Sequence, residues 1–218
     1  MRAVLGLLAV VALVGACSGG GDHARPVTSD EAQTLAQVRF RNYDEGARAV
    51  STEVADKAGT VQLDGWVDFV DHVGYGSLAQ PGSATSLITW DGSSAALVPA
   101  ASETAPLPAP DALTTAARSP LDASSSAEHA LLLVMLDLGS DRPENPLLLQ
   151  QAGAQWLRSD EVDGTPVDVF TATSEGHARY WVDHDGLMQR AEVLVGGAWD
   201  RIDLGDAIDP AQLGMPAS

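Results

Sequence analysis

An α+β architecture is expected, a large curved antiparallel sheet (a half-barrel) wrapped around helices, and three observations predict it. Apolar and polar residues alternate with period two before residue 98 and again after residue 154. Four joins in the second run, Asp163-Gly164, Glu175-Gly176, Asp185-Gly186 and Gly196-Gly197, carry the glycine that tight hairpins use for positive φ, so neighbouring strands run antiparallel. Between the runs, Ala130-Leu-Leu-Leu-Val-Met-Leu136 reads as a helix apolar nearly all round, which must be covered on more than one side.

The chain opens with one positive charge, Arg2, and an apolar run from Ala3 to Val14. That run is well short of the roughly 20 residues that span a bilayer as a helix, so a secretory signal is expected. Small Gly15 and Ala16 then lead into the only cysteine. Leu13-Val14-Gly15-Ala16-Cys17 resembles the lipobox of bacterial lipoproteins, in which the thiol is diacylated and the chain is cut before it. The resemblance implies that Cys17 anchors the protein in the cell membrane on its extracytoplasmic side. An ordinary signal peptide cleaved after Ala16 is the alternative, and it leaves a free thiol in an oxidising exterior. Residues 1–16 are read as a lipoprotein signal peptide, 17–27 as the acylated Cys17 and a flexible tether, and 28–218 as a single domain. From Ser18 to Val27 the chain is too rich in glycine to fold alone, and ten such residues average about 17 Å end to end.

Thr28-Ser29-Asp30-Glu31 has the capping-box pattern and opens a helix to about Tyr43, with Ala32, Leu35, Ala36, Val38 and Phe40 as its apolar face and Gly46 as its stop. Arg48, Val50, Thr52 and Val54 then alternate into a turn at Lys57-Ala58-Gly59. Val61, Leu63, Val67, Phe69, Val73 and Tyr75 hold one parity, predicting one long strand with a bend or bulge near Asp71 to Gly74. Thr85 to Trp90, the Asp91-Gly92 turn and Ala95 to Val98 form a hairpin. Pro99 to Ser126 lacks periodicity and is expected as a loop over one edge of the sheet. Ser125-Ser126-Ala127-Glu128 is a second capping box, opening the apolar helix that Gly139 closes. Asn145-Pro146 starts a short helix running to Ala152. Five strands follow, at 154–160, 166–173, 178–183, 187–195 and 198–204. With about four earlier strands they make one sheet, and the apolar helix lies in its concave face.

The formal charge is −18, with 12 basic against 30 acidic side chains. Phosphates repel such a body, which excludes nucleic acid as a partner and disfavours lying flat on anionic lipid. The lone cysteine allows no internal disulfide. His23, His72, His129, His177 and His184 are scattered without a zinc-seating pair, and no Gly-x-Ser-x-Gly elbow is present. Gly74-Tyr75-Gly76-Ser77-Leu78-Ala79 matches a dinucleotide fingerprint in letters, but Pro81 follows where a helix is needed, so a strand end is expected. Asp183-His184-Asp185-Gly186 resembles the front of a calcium loop without its closing glutamate and reads as a hairpin turn. No catalytic residue, metal ligand or cofactor is expected.

At Asn145-Pro146-Leu147-Leu148-Leu149, Trp156-Leu157, Val162-Asp163-Gly164-Thr165-Pro166-Val167-Asp168-Val169-Phe170 and Tyr180-Trp181-Val182-Asp183, the chain resembles actinobacterial lipoproteins of the LolA/LppX/LprG-like superfamily. The resemblance implies a half-barrel curled around helices, and a role in binding or carrying a lipid or acylated molecule between sheet and helices. Expected lining residues of that space are Val61, Leu63, Val67 and Phe69 from the long strand, and Leu131, Leu132, Val134, Met135 and Leu138 from the apolar helix. The competing expectation is that these residues fill a dry core. A second functional class is a non-enzymatic interaction or sensing module whose acidic surface docks another envelope protein.

Overall fold

Alternation and glycine turns translate into antiparallel pairing throughout the computed structural model, which describes residues 23–56 and 59–215. The lipobox and Cys17 lie outside these residues. In chain order the elements are β1 (Arg25–Pro26), α1 (Ser29–Glu45), β2 (Ala47–Asp56), β3 (Gly59–Asp68), β4 (Val73–Ala79), β5 (Ser86–Trp90) and β6 (Ser94–Pro99). Next come α2 (Ala112–Thr115), β7 (Arg118–Pro120), α3 (Ala127–Asp137) and α4 (Pro146–Gln151). The chain ends with β8 (Gln155–Val162), β9 (Thr165–Thr171), β10 (Ala178–Asp183), β11 (Met188–Val195), β12 (Ala198–Ile208) and a 3₁₀ turn, Pro210–Leu213. The strands form one 12-stranded sheet in the order β1-β8-β9-β10-β11-β12-β2-β3-β4-β5-β6-β7. Its end strands do not meet, so the expected open half-barrel of α+β class is what the chain forms.

The α1 capping box forms in full: Glu31 N–H donates to Thr28 Oγ1 and Thr28 N–H donates to Glu31 Oε2. The box on α3 is displaced by one residue. Ser126 is the cap and accepts from His129 N–H, so Glu128 sits too early to reach back. Asn145 caps α4, accepting from Leu147 and Leu148 N–H, with Pro146 at the first turn.

Three expectations need correction. The long strand over Val61 to Tyr75 is a hairpin, β3 and β4, reversed at residues 69–72. Asp68 Oδ1 accepts from Val70 and Asp71 N–H, and His72 takes φ 50°, so the local side chain closes a turn that alternation alone hides. Because Val67 pairs with Gly74, residues of equal parity on β3 and β4 lie on opposite faces. Tyr75 stacks on Trp66 on the outer face, whereas Leu63 and Val67 face the helices. The tether is also shorter than expected: Arg25 and Pro26 pair with Trp156 and Gln155, and Val27 is buried.

The main core lies between the sheet and α1, α3 and α4. The Pro99 to Ser126 segment, expected as a loop over one edge of the sheet, instead contains α2 and the edge strand β7 and covers the outer face, where Tyr75, Leu87, Leu113 and Leu213 form a second cluster. There Tyr75 Oη donates to Pro106 O at 2.7 Å, and burial pushes its pKa up to about 12.

Antiparallel order also gives the sheet two distinct rims. One holds β1, the start of β8, the 174–177 turn, Gly196-Gly197 and the paired ends of β2 and β3 at Asp56 and Gly59. Both α1 and α3 start here; Ala127 Cβ lies 3.9 Å from where a Cβ on Gly196 would stand. The opposite rim holds Asp163-Gly164, His184 to Leu187, the 69–72 turn and Asp91 to Ser93.

Candidate functional site

The α3 helix carries four buried apolar side chains, Leu131, Leu132, Met135 and Leu136, onto the concave face. Of the expected lining residues, Val61, Leu63, Leu131, Leu132 and Met135 do meet around one seam, joined by Thr52, Val54, Leu78 and Glu128. Val67, Phe69 and Leu138 are buried elsewhere in the same core, and Val134 is half-buried at its margin. Phe69 packs under Gly139, where an added Cβ would come within 2.7 Å of its side chain. Leu78 escapes the sequence reading because the parity rule ended the strand three residues before it. Val54 stood in the expected alternation without a reason to single it out.

The seam is closed in this structure. It admits about 10 Å³ of water-accessible volume, roughly one water molecule's worth, so side chains fill the hollow. Its residues Val54, Val61, Leu78 and Glu128 mark the tether rim, where the first turn of α3 meets the ends of β2, β3 and β4.

Polar ties to α3 are unequal along its length. Trp90 Nε1 donates to Leu132 O at 3.0 Å, Arg39 Nε to Asp137 O at 2.7 Å, and Asn42 Nδ2 to Leu138 O at 2.8 Å. These bonds grip the helix from Leu132 onward. Before Leu132 its side-chain bonds are to its own lead-in: His129 Nδ1 accepts from Asp122 N–H and Ser126 caps the first turn.

Beside that C-terminal grip lies a buried cation that the sequence reading missed. Arg48 is 2% exposed and donates to Asn42 Oδ1, Met188 O and Gly205 O. Desolvation lowers its pKa to about 10, so it stays charged at neutral pH. Near the tether rim, Asp200 on β12 is 7% exposed, and burial raises its carboxyl pKa.

A second concavity crosses the outer face of β12, β2 and β3. One part, about 440 Å³, lies between Glu103–Ala105 and Asp163 over Ala49, Ser51, Asp64, Trp66 and Asp203. An adjoining part of about 360 Å³ is bounded by Glu53, Gln62, Trp199 and Arg201. Within it Arg201 pairs with Asp203 at 2.6 Å.

The fingerprint-like Gly74 to Ala79 stretch forms β4 itself, paired on both sides, with no helix following. Asp183 accepts from Asp185 and Leu187 N–H, closing the 183–187 hairpin turn. Among the described residues no three His, Cys, Asp or Glu side chains gather to hold a metal, and no helix is long and apolar enough to cross a membrane.

Neither a protein-family model nor a curated protein matches the sequence. Solved structures similar to the chain include the lipoprotein LppX of Mycobacterium tuberculosis, at 13% identity and TM-score 0.45 over 85% of this chain and 98% of that one. LprF of Mycobacterium bovis is similar at 12% identity and TM-score 0.46, over 88% of this chain and 99% of that one. A LolA superfamily protein from Nitrosomonas europaea is similar at 12% identity and TM-score 0.35, over 87% and 98%. These likenesses concern the fold alone.

Proposed function

We propose that this is an envelope lipoprotein, anchored through diacylglyceryl Cys17, that binds or carries a lipid or acylated molecule between α3 and the sheet. The role is non-enzymatic. The observation that carries it is the apolar seam at the tether rim, combined with a helix gripped only from Leu132 onward. Because the seam is closed at rest, binding requires the turns of α3 that precede Leu132 to lift from Val54, Val61 and Leu78. An acyl chain then replaces the contacts those turns give up. Buried apolar surface is conserved in that exchange, so its cost is small compared with opening an empty cavity.

Two measurements test this. Native mass spectrometry of protein extracted in mild detergent should show a retained acyl-bearing mass beyond the Cys17 lipid. A diazirine-tagged fatty acyl probe should label peptides containing Val61–Leu63 or Leu131–Met135. A ligand-free mass together with labelling spread evenly over the surface would sink the carrier reading.

The outer concavity favours the second reading, an interaction module. Glu53, Asp64, Asp163 and Asp203 there outnumber Arg201 and suit a basic envelope protein. That reading expects salt-sensitive capture of a partner, lost on Asp64→Asn, with the seam unlabelled.

A further inference from the structure

We infer that the rim of the sheet holding β1 is a membrane-seating surface, on which Leu147, Leu148, Leu194 and Trp199 meet the lipid headgroups and the seam opens directly toward the bilayer. The inference rests on the Cys17 anchor and adds an orientation to it. Only five residues separate Cys17 from His23, and an extended chain spans at most about 3.6 Å per residue. His23 therefore stays within roughly 20 Å of the acylated cysteine. Two residues later Arg25 is already paired in the sheet, so the tether cannot swing the domain freely.

The surface that this short reach brings to the lipid has the composition to meet it. On α4, Leu147 and Leu148 are 58% and 60% exposed, while Leu149 of the same helix is buried beside Val27 and Ala154. Backbone bonds fix that placement: Val27 N–H donates to Ala154 O, and Ala154 N–H to Leu149 O. Across the rim, Leu194 and Trp199 pair at the Gly196-Gly197 turn and are exposed as well. Cations accompany the aromatic rings here: the Arg25 guanidinium lies 4.5 Å from the Trp156 ring and that of Arg179 lies 4.1 Å from Trp199. Rings of this kind, apolar in body and polar at the tip, suit the membrane interface.

Ion pairing is present on both rims. The far rim carries Asp71, Asp91, Asp163, Asp183, Asp185 and Asp206, with Asp91 paired to Arg118 at 2.7 Å. On the tether rim Glu31 is paired with Arg25 at 2.7 Å and Glu192 with Arg179 at 3.2 Å, and the rim also carries Asp30 and Glu128 in the first turns of α1 and α3, Glu53 beside Trp199 and Glu175 in the 174–177 turn. The two ion pairs lower the repulsion between a net acidic protein and lipid phosphates where the domain is tied down, and the seam's mouth lies on that same side.

The test uses the full acylated protein in phosphatidylcholine vesicles whose acyl chains are brominated. Acylation blocks Cys17, so a thiol-reactive fluorophore reports one position at a time: Leu148→Cys, Leu194→Cys, and Asp163→Cys on the far rim. The inference expects quenching several-fold stronger at 148 and 194 than at 163. Equal quenching at all three positions, with the Cys17 peptide carrying its diacylglyceryl mass, overturns the seating and leaves the anchor standing. A Cys17 peptide without acyl mass, in a protein that stays in the supernatant, removes the anchor reading and this inference together.

Discussion

Arg48 shows how much one side chain can organise. Its guanidinium joins the C-terminal turn of α1 to the first residues of β11 and the end of β12, and through Asn42 it reaches the C-cap of α3. Replacing it with Met leaves Asn42 Oδ1 and two backbone carbonyls without these donors inside the core. Arg48→Met is expected to cost about 3 kcal/mol, read from the midpoint of urea unfolding. Arginine in an alternating strand was visible from the sequence, but its burial was not, because the three acceptors come from residues 42, 188 and 205. Glu31 illustrates a local effect of which the sequence showed only the capping box, since Arg25 was expected in the tether. Its hydrogen bonds to Arg25, reinforced by the Thr28 amide, lower its carboxyl pKa from 4.5 to about 2. A depressed carboxylate contributes stability above its unfolded pKa and loses it as pH falls through the folded value. The β1–α1 attachment should therefore loosen between about pH 4.5 and 2, seen as faster amide exchange at Val27 and Glu31. Glu31→Gln should abolish that pH dependence.

At the scale of elements, α1, α3 and α4 were legible, whereas the β3–β4 hairpin and the short elements β1, α2 and β7 were not. Caps and stops are local chemistry, so α1, α4 and the five C-terminal strands came out near their observed bounds. The 69–72 reversal was hidden because equal parity survives an even-length turn while the face changes, and Asp71 was the one residue that disagreed. Glycine decides how β3 and β4 then curl. An added Cβ on Gly65 would stand 2.2 Å from Tyr75 O, and one on Gly74 would stand 2.1 Å from the Trp90 indole. Trp90 is fully buried and holds α3 through Leu132 O, so it cannot move aside without releasing the helix. Gly74→Ala is expected to destabilise the domain by about 3 kcal/mol and to shift the near-ultraviolet dichroism of Trp90. Gly92→Ala is the control, since nothing lies within 4 Å of its added Cβ.

For the whole molecule, a half-barrel around helices followed from the alternation and the unusually apolar α3, whereas the state of its hollow did not. Whether Leu131 and Met135 leave a void depends on how closely β2 to β4 curve against them, a tertiary property with no local signature. The proposed Cys17 anchor belongs to this scale too, because it would set where the entire domain resides. Cys17→Ser is expected to move the protein from the detergent phase to the aqueous phase in cloud-point partitioning, without changing the unfolding midpoint of the domain.

The two-residue strand β1 has a mechanical consequence. With Cys17 anchored as proposed, any pull between the envelope and the body of the protein enters through Arg25 and Pro26, and loads their two pairings with β8 one after the other, as a zipper is opened. The Arg25–Glu31 clamp is the first fastening beyond them. Under tension the attachment should peel to Thr28 while the other eleven strands stay paired, giving the protein a slack reserve of a few residues that lengthens its reach under load.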